Sequence, residues 1–303
     1  MFPLTTLDFI PTRFRSAEDM KILVTGATGR IGHATALLLM ERGHEFYAAD
    51  LNRWKDEPRA HHFTIANLIF SEACLRVVEG MERVVHLGEI PNSVRGITSA
   101  ELFQRNTQIG SNMLSACQAY GVKRVVYASS CQAYGMNFGN LKSLTAPLTL
   151  PFDETHPLRP ENPYGAAKAA VEAFAHNVTA GGETGIACMR FPAVAWASHS
   201  WKKWWNTSPD YVPPDFGIYV NLPDAALAIA LAVESDKMGF EAYHTTAERV
   251  CLRTSLREYL AQHFPHYPAL PTDWPEDHSP MLSAKIREHF GWAPSSDKPL
   301  WES

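Results

Sequence analysis

The 303-residue chain contains no long apolar run, no surplus of positive charge and no paired cysteines. No apolar stretch reaches the roughly 18 residues that a membrane-spanning helix needs, so no membrane partner is expected. The formal net charge of −5 leaves no basic stripe to neutralise phosphates, which argues against nucleic acid. The five cysteines are scattered, odd in number and without a CxxC pair, so neither a disulfide framework nor a zinc site is expected. The thirteen histidines include His61 and His62 but no HExxH or similar ligand spacing, so no metal is expected. Residues 1–19 carry Asp8, Arg13 and Arg15 early and lack the basic start and apolar stretch of a signal peptide. They read as an extension before a fold that begins at Met20, and the cytoplasm is the expected location.

What is present is an ordinary globular composition, 46% apolar and 19% charged, with ample length to bury a core. KILVTG (21–26) is a short apolar run ending in glycine, the pattern of a buried strand. From Arg30 to Arg42, Ile31, Ala34, Leu37, Leu38 and Met40 recur at helical spacing, and Gly43 stops the helix. Further strands are expected at 46–50, 62–68, 83–88, 123–130 and 186–192, with helices at 71–79, 99–119 and 163–180 between them. This alternation predicts an α/β fold with a doubly wound parallel sheet. A long loop at 136–162, holding Pro147, Pro151, Pro157 and Pro160, follows a strand's carboxyl end, where ligands bind in open α/β sheets. After Pro192 the texture changes to an aromatic stretch with Trp196, Trp201, Trp204, Trp205, Tyr211, Phe216 and Tyr219. Helices are expected around 222–235, 253–264 and 281–290. The domain reading is therefore an extension at 1–19, a Rossmann-type unit at 20–192, and a small C-terminal substrate-binding cap at 193–303. Segments at about 218–250 return to the Rossmann core.

TGATGRIG places Gly26, Gly29 and Gly32 in GxxGxxG spacing between a strand and a helix. There glycines permit a tight turn and close backbone approach, and the helix N-terminus presents N–H groups to a pyrophosphate. Thr28, Arg30 and Ile31 complete this phosphate cradle. Asp50 closes the second strand, where a carboxylate accepts from the adenosine ribose hydroxyls and repels a 2′-phosphate. NAD is expected rather than NADP, with Arg53 close enough to soften the preference. Tyr164 and Lys168, in PYGAAK, lie four apart and so share one helix face.

The order glycine loop, strand-end ASSCQAYG and PYGAAK resembles the extended short-chain dehydrogenase/reductases, the NAD-dependent epimerase/dehydratase family. The resemblance covers about residues 20–235, with an echo in SAKIREHFGWAP (283–294). It implies a catalytic trio: Tyr164 as general acid/base, Ser130 hydrogen-bonded to the substrate oxygen, and Lys168 binding the nicotinamide ribose. A free phenol ionises near pH ~10. The Lys168 cation, aided by the nicotinamide's charge, is expected to lower that value. The resemblance also places His86-Leu87-Gly88 beside the cofactor phosphates, Asn67-Leu68 near the adenine and Pro192 against the nicotinamide. Asn106 falls behind the nicotinamide region or is structural, and Asp224 is either part of a family segment or the first-turn charge of its helix.

Departures from the family pattern narrow the expected reaction. Cys131 and Gln132 stand where sugar-nucleotide dehydratases carry acids, which disfavours dehydration. Ala193 replaces the Asn of many nucleotide-sugar 4-epimerases, their Lys is missing from HLGEIPN, and Glu89 adds negative charge near the cradle. These changes argue against a diphosphate-bearing substrate. HLGEIPN and ASSCQAYG stand nearer the uronate-dehydrogenase side. The expected activity is an NAD-dependent oxidoreductase passing hydride between nicotinamide and a carbinol carbon of a sugar-like substrate. Alternatives are an epimerase without net redox change and a non-catalytic dinucleotide sensor. Glu89, Ser130, Cys131, Gln132 and Trp196 are the substrate candidates, and Lys202, Lys203, Arg249 and Arg253 candidates to hold an anionic group. The tryptophan-rich stretch stacks on a sugar, packs the cap or forms a dimer surface. A homodimer pairing helices 99–119 and 163–180 is expected by analogy with the family.

Overall fold

The computed structural model describes residues 20–54, 60, 62–92, 96–135, 146–196 and 215–295. Trp201, Lys202, Lys203, Trp204, Trp205 and Tyr211, with residues 1–19, lie outside them.

Among these residues the chain runs β1 (Lys21–Thr25), α1 (Arg30–Glu41), β2 (Glu45–Asp50), β3 (His62–Ile65), α2 (Ser71–Val78), β4 (Arg83–His86), α3 (Ser99–Ala119), β5 (Arg124–Ser130), α4 (Pro163–Ala180) and β6 (Gly185–Phe191). It continues through β7 (Ala193–Ala195), β8 (Tyr219–Asn221), α5 (Leu222–Glu234), β9 (Phe240–His244), α6 (Leu256–His263) and α7 (Ala284–Phe290). Seven strands form one parallel sheet in the order β3-β2-β1-β4-β5-β6-β9. β7 and β8 form a separate two-stranded parallel ribbon. The expected Rossmann-type doubly wound sheet is present.

Strand alternation divides the core. Leu23, Val125 and Tyr127 point to the face covered by α2, α3 and α4, whereas Ile22, Val24 and Val126 point to the face covered by α1, α5 and α7. Strands buried on both faces read as continuous apolar runs, because helices take water from each side. A third cluster (Phe152, Phe216, Leu256, Tyr259, Phe264, Met281) joins the segment before α4 to the C-terminal region.

Two differences from expectation have local causes. The strand at 62–68 ends at Ile65, because Asn67 turns the chain: its Oδ1 accepts from the Ile69 N–H and its carbonyl from the Phe70 N–H. β9 was unforeseen as a strand. FEAYH is too short and mixed to signal one, and it is recruited by pairing along β6.

The chain winds outward from β1 to β3 and returns to β4 beside β1. This reversal opens a crevice at the carboxyl ends of β1 and β4, the place where such sheets bind ligands.

Candidate active site

A cleft of about 440 Å³ occupies that crevice. Its lining runs from Gly26, Gly29 and Gly32 past Leu87 and Glu89 to Ser130, Gln132, Tyr164 and Lys168, with Pro192 and Trp196 along one wall. One space thus collects the glycine loop, the end of β5 and the start of α4.

The glycine end is shaped by side chains that are missing. Gly26 sits at φ +65°, and a Cβ there would lie 2.6 Å from the Leu87 carbonyl. A Cβ on Gly32 would lie 2.2 Å from the Gly26 carbonyl oxygen. The N-cap of α1, Gly29, supplies no side-chain hydrogen bond, so the first-turn N–H groups face the cleft as an anion-binding edge. Asp50 braces the loop. Its Oδ2 accepts from the Thr28 N–H (2.9 Å) and Oγ1 (2.8 Å), and its Oδ1 from the Leu51 N–H. Thr25 Oγ1 lies 2.7 Å from His86 Nδ1 and accepts from the Leu87 and Gly88 N–H groups, tying the ends of β1 and β4 together. These features fit a dinucleotide: an uncapped helix start, a floor without Cβ atoms and a carboxylate at the end of β2. Arg30 crosses the cleft mouth to stack on Trp196, 4.2 Å from the ring centroid.

At the other end, Asn162 caps α4 by accepting from the Gly165 N–H (2.8 Å), with Pro163 in the first turn. A Cβ on Gly165 would lie 2.3 Å from the Gln132 carbonyl oxygen, so only glycine lets α4 meet the 3-10 turn at Cys131–Tyr134. This contact delivers Tyr164 and Lys168 to the end of β5. Ser130 Oγ accepts from the Gln132 N–H (3.2 Å), leaving its own proton to donate. Ser129 donates to Glu172 (2.5 Å), which commits its proton. Gln132 Oε1 accepts from both Asn92 (2.9 Å) and Asn162 (3.0 Å), so its Nε2 is left as a donor.

Lys168 departs from expectation. Its ammonium donates to Glu89 Oε2 (2.6 Å) and the Ala128 carbonyl (2.5 Å), with both side chains under 5% exposed. Tyr127 donates to Glu89 Oε1 (2.9 Å). Its sequence position suggested added negative charge near the cradle; instead Glu89 is half of an ion pair. The expected lowering of the Tyr164 phenol is also corrected. Burial pushes it above its usual value, and the opposing pull of Lys168 is countered by Glu89.

Other sequence candidates are placed as follows. Asn106 is fully buried and clamps Ile90, accepting from its N–H (2.9 Å) and donating to its carbonyl (2.8 Å), the structural alternative. Leu68 is buried under Gly88, and Asn67 is exposed at its turn. Cys131 packs into the third core cluster rather than lining the cleft. Arg249 pairs with Asp277 at the surface, and Arg253 and Arg53 are exposed away from the cleft lining. Asp224, in the first turn of α5, accepts from the Ser295 N–H.

The sequence reading passed over Asn92 and Asn162, although an Asn directly before a helix-starting Pro is a legible capping signal. It also passed over a buried network behind the turn. Arg190 forks onto Glu172 and donates to Tyr134 Oη, which lies 2.6 Å from His244 Nε2. No pattern in sequence announces such a long-range pairing. Among the described residues no helix is long and apolar enough to cross a membrane, and no cluster of three or more His, Cys, Asp or Glu could hold a metal ion.

The chain is similar to known proteins. GDP-mannose 3,5-epimerase 1 of Oryza sativa subsp. japonica is 31% identical over 196 residues, 61% of this chain and 50% of that enzyme. The chain thus spans about half the length of the curated relatives it matches. In fold it is similar to MoeE5 in complex with UDP-glucuronic acid and NAD (TM-score 0.70, 20% identity, 93% of this chain and 98% of that one). It is likewise similar to a mutated uronate dehydrogenase (TM-score 0.66, 22% identity, 93% and 83%). The family profile described as NAD dependent epimerase/dehydratase matches residues 22–197, which hold the glycine loop, the β5 end and the start of α4 together. By that match, the chain belongs to the NAD dependent epimerase/dehydratase family, whose cofactor is NAD.

Proposed function

We propose that the protein is an NAD-dependent oxidoreductase acting at a carbinol carbon of a sugar-like substrate, a sugar acid or related polyol. The supporting observation is the convergence of Ser130, Tyr164 and Lys168 with the glycine loop on one cleft. Gly26, Gly29, Gly32 and the start of α1 would hold the pyrophosphate, Asp50 the adenosine ribose, and Lys168 with Pro192 the nicotinamide end. Bound there, NAD supplies the hydride acceptor. Ser130 donates its proton to the substrate oxygen, fixing it and stabilising charge that develops on it. Tyr164 takes the hydroxyl proton in oxidation and returns it in reduction. Gln132 Nε2 and the Asn92 and Asn162 amides give the substrate wall several donors and acceptors, which suits a polyhydroxylated molecule better than an apolar one.

A panel of free sugars, uronic acids and nucleotide sugars, offered with NAD and followed by nicotinamide absorbance, tests the reading. A substrate-dependent rise in NADH is the expected result; no rise with any of them, and no product by NMR, sinks it. The second reading, an epimerase with no net redox change, draws on the likeness to the rice epimerase. It requires a new epimer by NMR with unchanged absorbance. The Glu89–Lys168 pair removes one sequence argument against nucleotide sugars, so the panel includes them. A homodimer through α3 and α4, which pack side by side, belongs to this proposal. Sedimentation equilibrium at twice the monomer mass supports it.

A further inference from the structure

Glu89 is an acid in the floor of the cleft for which the catalytic trio has no use. It follows β4 immediately, and its carboxylate is almost wholly shielded from water. Both oxygens are committed, Oε2 to Lys168 (2.6 Å) and Oε1 to Tyr127 (2.9 Å). His86, on β4, completes the surroundings. Thr25 Oγ1 already accepts two backbone N–H groups, so its own proton goes to His86 Nδ1. The imidazole then carries its proton on Nε2, which has no hydrogen-bond partner among the described residues and lies 3.9 Å from Glu89 Oε1. Burial keeps this histidine neutral near neutral pH, with its pKa pushed down to about 3. Among the described residues, Cys131 from the turn and Cys188 from β6 are the other ionisable neighbours, and both are buried. Among the described residues, the formal charges facing Tyr164 therefore reduce to one cation and one anion in contact.

We propose that Glu89 is a positioning residue: its buried carboxylate clamps Lys168 and cancels the charge that would otherwise draw the proton off Tyr164. The site at rest then holds a neutral phenol and a closed ion pair. Tyr164 is set up to donate a proton to a carbonyl oxygen at neutral pH; accepting one from a hydroxyl then depends on the nicotinamide's positive charge or on alkaline pH. This rests on the reading of Tyr164 as the acid/base, but its test does not require turnover.

The cofactor-free protein is titrated by near-ultraviolet tyrosinate absorption, and the Tyr164→Phe spectrum is subtracted to isolate Tyr164. Glu89→Gln keeps the shape and removes the charge. It should move the Tyr164 ionisation down by about one pH unit or more, the scale of an uncompensated neighbouring cation. Lys168→Met should move it up, and the double variant should return near wild type, because it removes both charges. An unmoved or raised ionisation in Glu89→Gln overturns the proposal. Breaking a buried pair is costly, whereas replacing both partners is better tolerated. If Glu89→Gln fails to fold, the double variant is compared with Lys168→Met; equal titrations overturn the proposal and a lower one in the double variant supports it. In active enzyme, the acid limb of kcat/KM for oxidation should move down with the titration. A missing substrate would sink the oxidoreductase reading and leave these titrations standing, while an unshifted titration beside a dead Tyr164→Phe would do the reverse.

Discussion

At its glycine end the cleft is made of backbone and of missing side chains; at its catalytic end it is made of charges that already have partners. The first end works by steric permission. A pyrophosphate is held by N–H dipoles that need only be left uncovered. The second works by compensation. Lys168 is matched by Glu89, and Arg190 behind it by Glu172. Unpaired charges in such shielded positions would cost several kcal/mol each. A substitution at the glycine end should therefore act through shape and spare proton chemistry. One at the proton-transferring groups of the catalytic end, Ser130 and Tyr164, should act through proton chemistry and spare pyrophosphate binding.

Tyr164→Phe is the sharpest way to break that division. It should lower kcat by roughly 10²–10⁴-fold, the range for loss of a general acid/base. NAD affinity, read by tryptophan fluorescence, should change by no more than a few-fold. Intact turnover would remove the catalytic end from the comparison altogether.

Gly32→Ala and Gly29→Ala probe the other end. An added Cβ at Gly32 meets the Gly26 carbonyl oxygen at 2.2 Å, but at Gly29 the nearest atom is 3.2 Å away. Gly32→Ala should cost about 1–3 kcal/mol of stability by overpacking and abolish measurable NAD binding. Gly29→Ala should fold with nearly full stability and bind NAD weakly. Equal thermal shifts in the two variants would contradict the steric account.

Acid should reveal the catalytic end and its backing network. His86 and His244 are held neutral by burial, with pKa values pushed from 6.5 down to about 3. A histidine whose folded value is depressed stabilises the fold fully above its unfolded value and loses that contribution as pH falls toward the folded one. Stability should accordingly fall as pH is lowered from 6.5 to 3, by up to roughly 1 kcal/mol per pH unit for each histidine. Denaturant melts across that range measure the slope. A flat profile would mean that these rings are protonated in the fold.

Asn162→Ala should have the smallest effect. It removes the α4 cap, worth about 1 kcal/mol, and one of the two amides on Gln132 Oε1. A modest drop in melting temperature with a higher KM and nearly unchanged kcat would place Asn162 among the groups that orient the substrate wall.

Much of this arrangement was legible in the chain. KILVT followed by three glycines in register can serve few purposes beyond a strand, a turn and an exposed helix start. PYGAAK places its Tyr and Lys on one face because helices repeat every 3.6 residues. The less legible parts depend on distance along the chain. Glu89 and Lys168 are 79 residues apart, and Arg190 and Tyr134 are 56 apart. Nothing local marks either pair. From sequence, Glu89 therefore reads as free negative charge, and Lys168 as a free cation acting on Tyr164. Asn106 shows the same limit, since its amide is spent on the Ile90 backbone across sixteen residues. β9 lies at the edge of legibility, because a strand of mixed residues exists only where a neighbouring strand offers its hydrogen bonds.

By itself the sequence determined the alternation of strands and helices, the glycine cradle and the positions of Ser130, Tyr164 and Lys168. The first two follow from local steric permission and from periodicity, which each short segment carries within itself; Ser130, Tyr164 and Lys168 follow from the resemblance to the epimerase/dehydratase family. Tertiary structure alone decided which charges meet. It paired Lys168 with Glu89 and raised the phenol that the sequence had expected to be lowered. The reason is physical: burial and the contact of oppositely charged groups are properties of the folded interior, where the dielectric is low and each neighbour counts, and no single segment contains them.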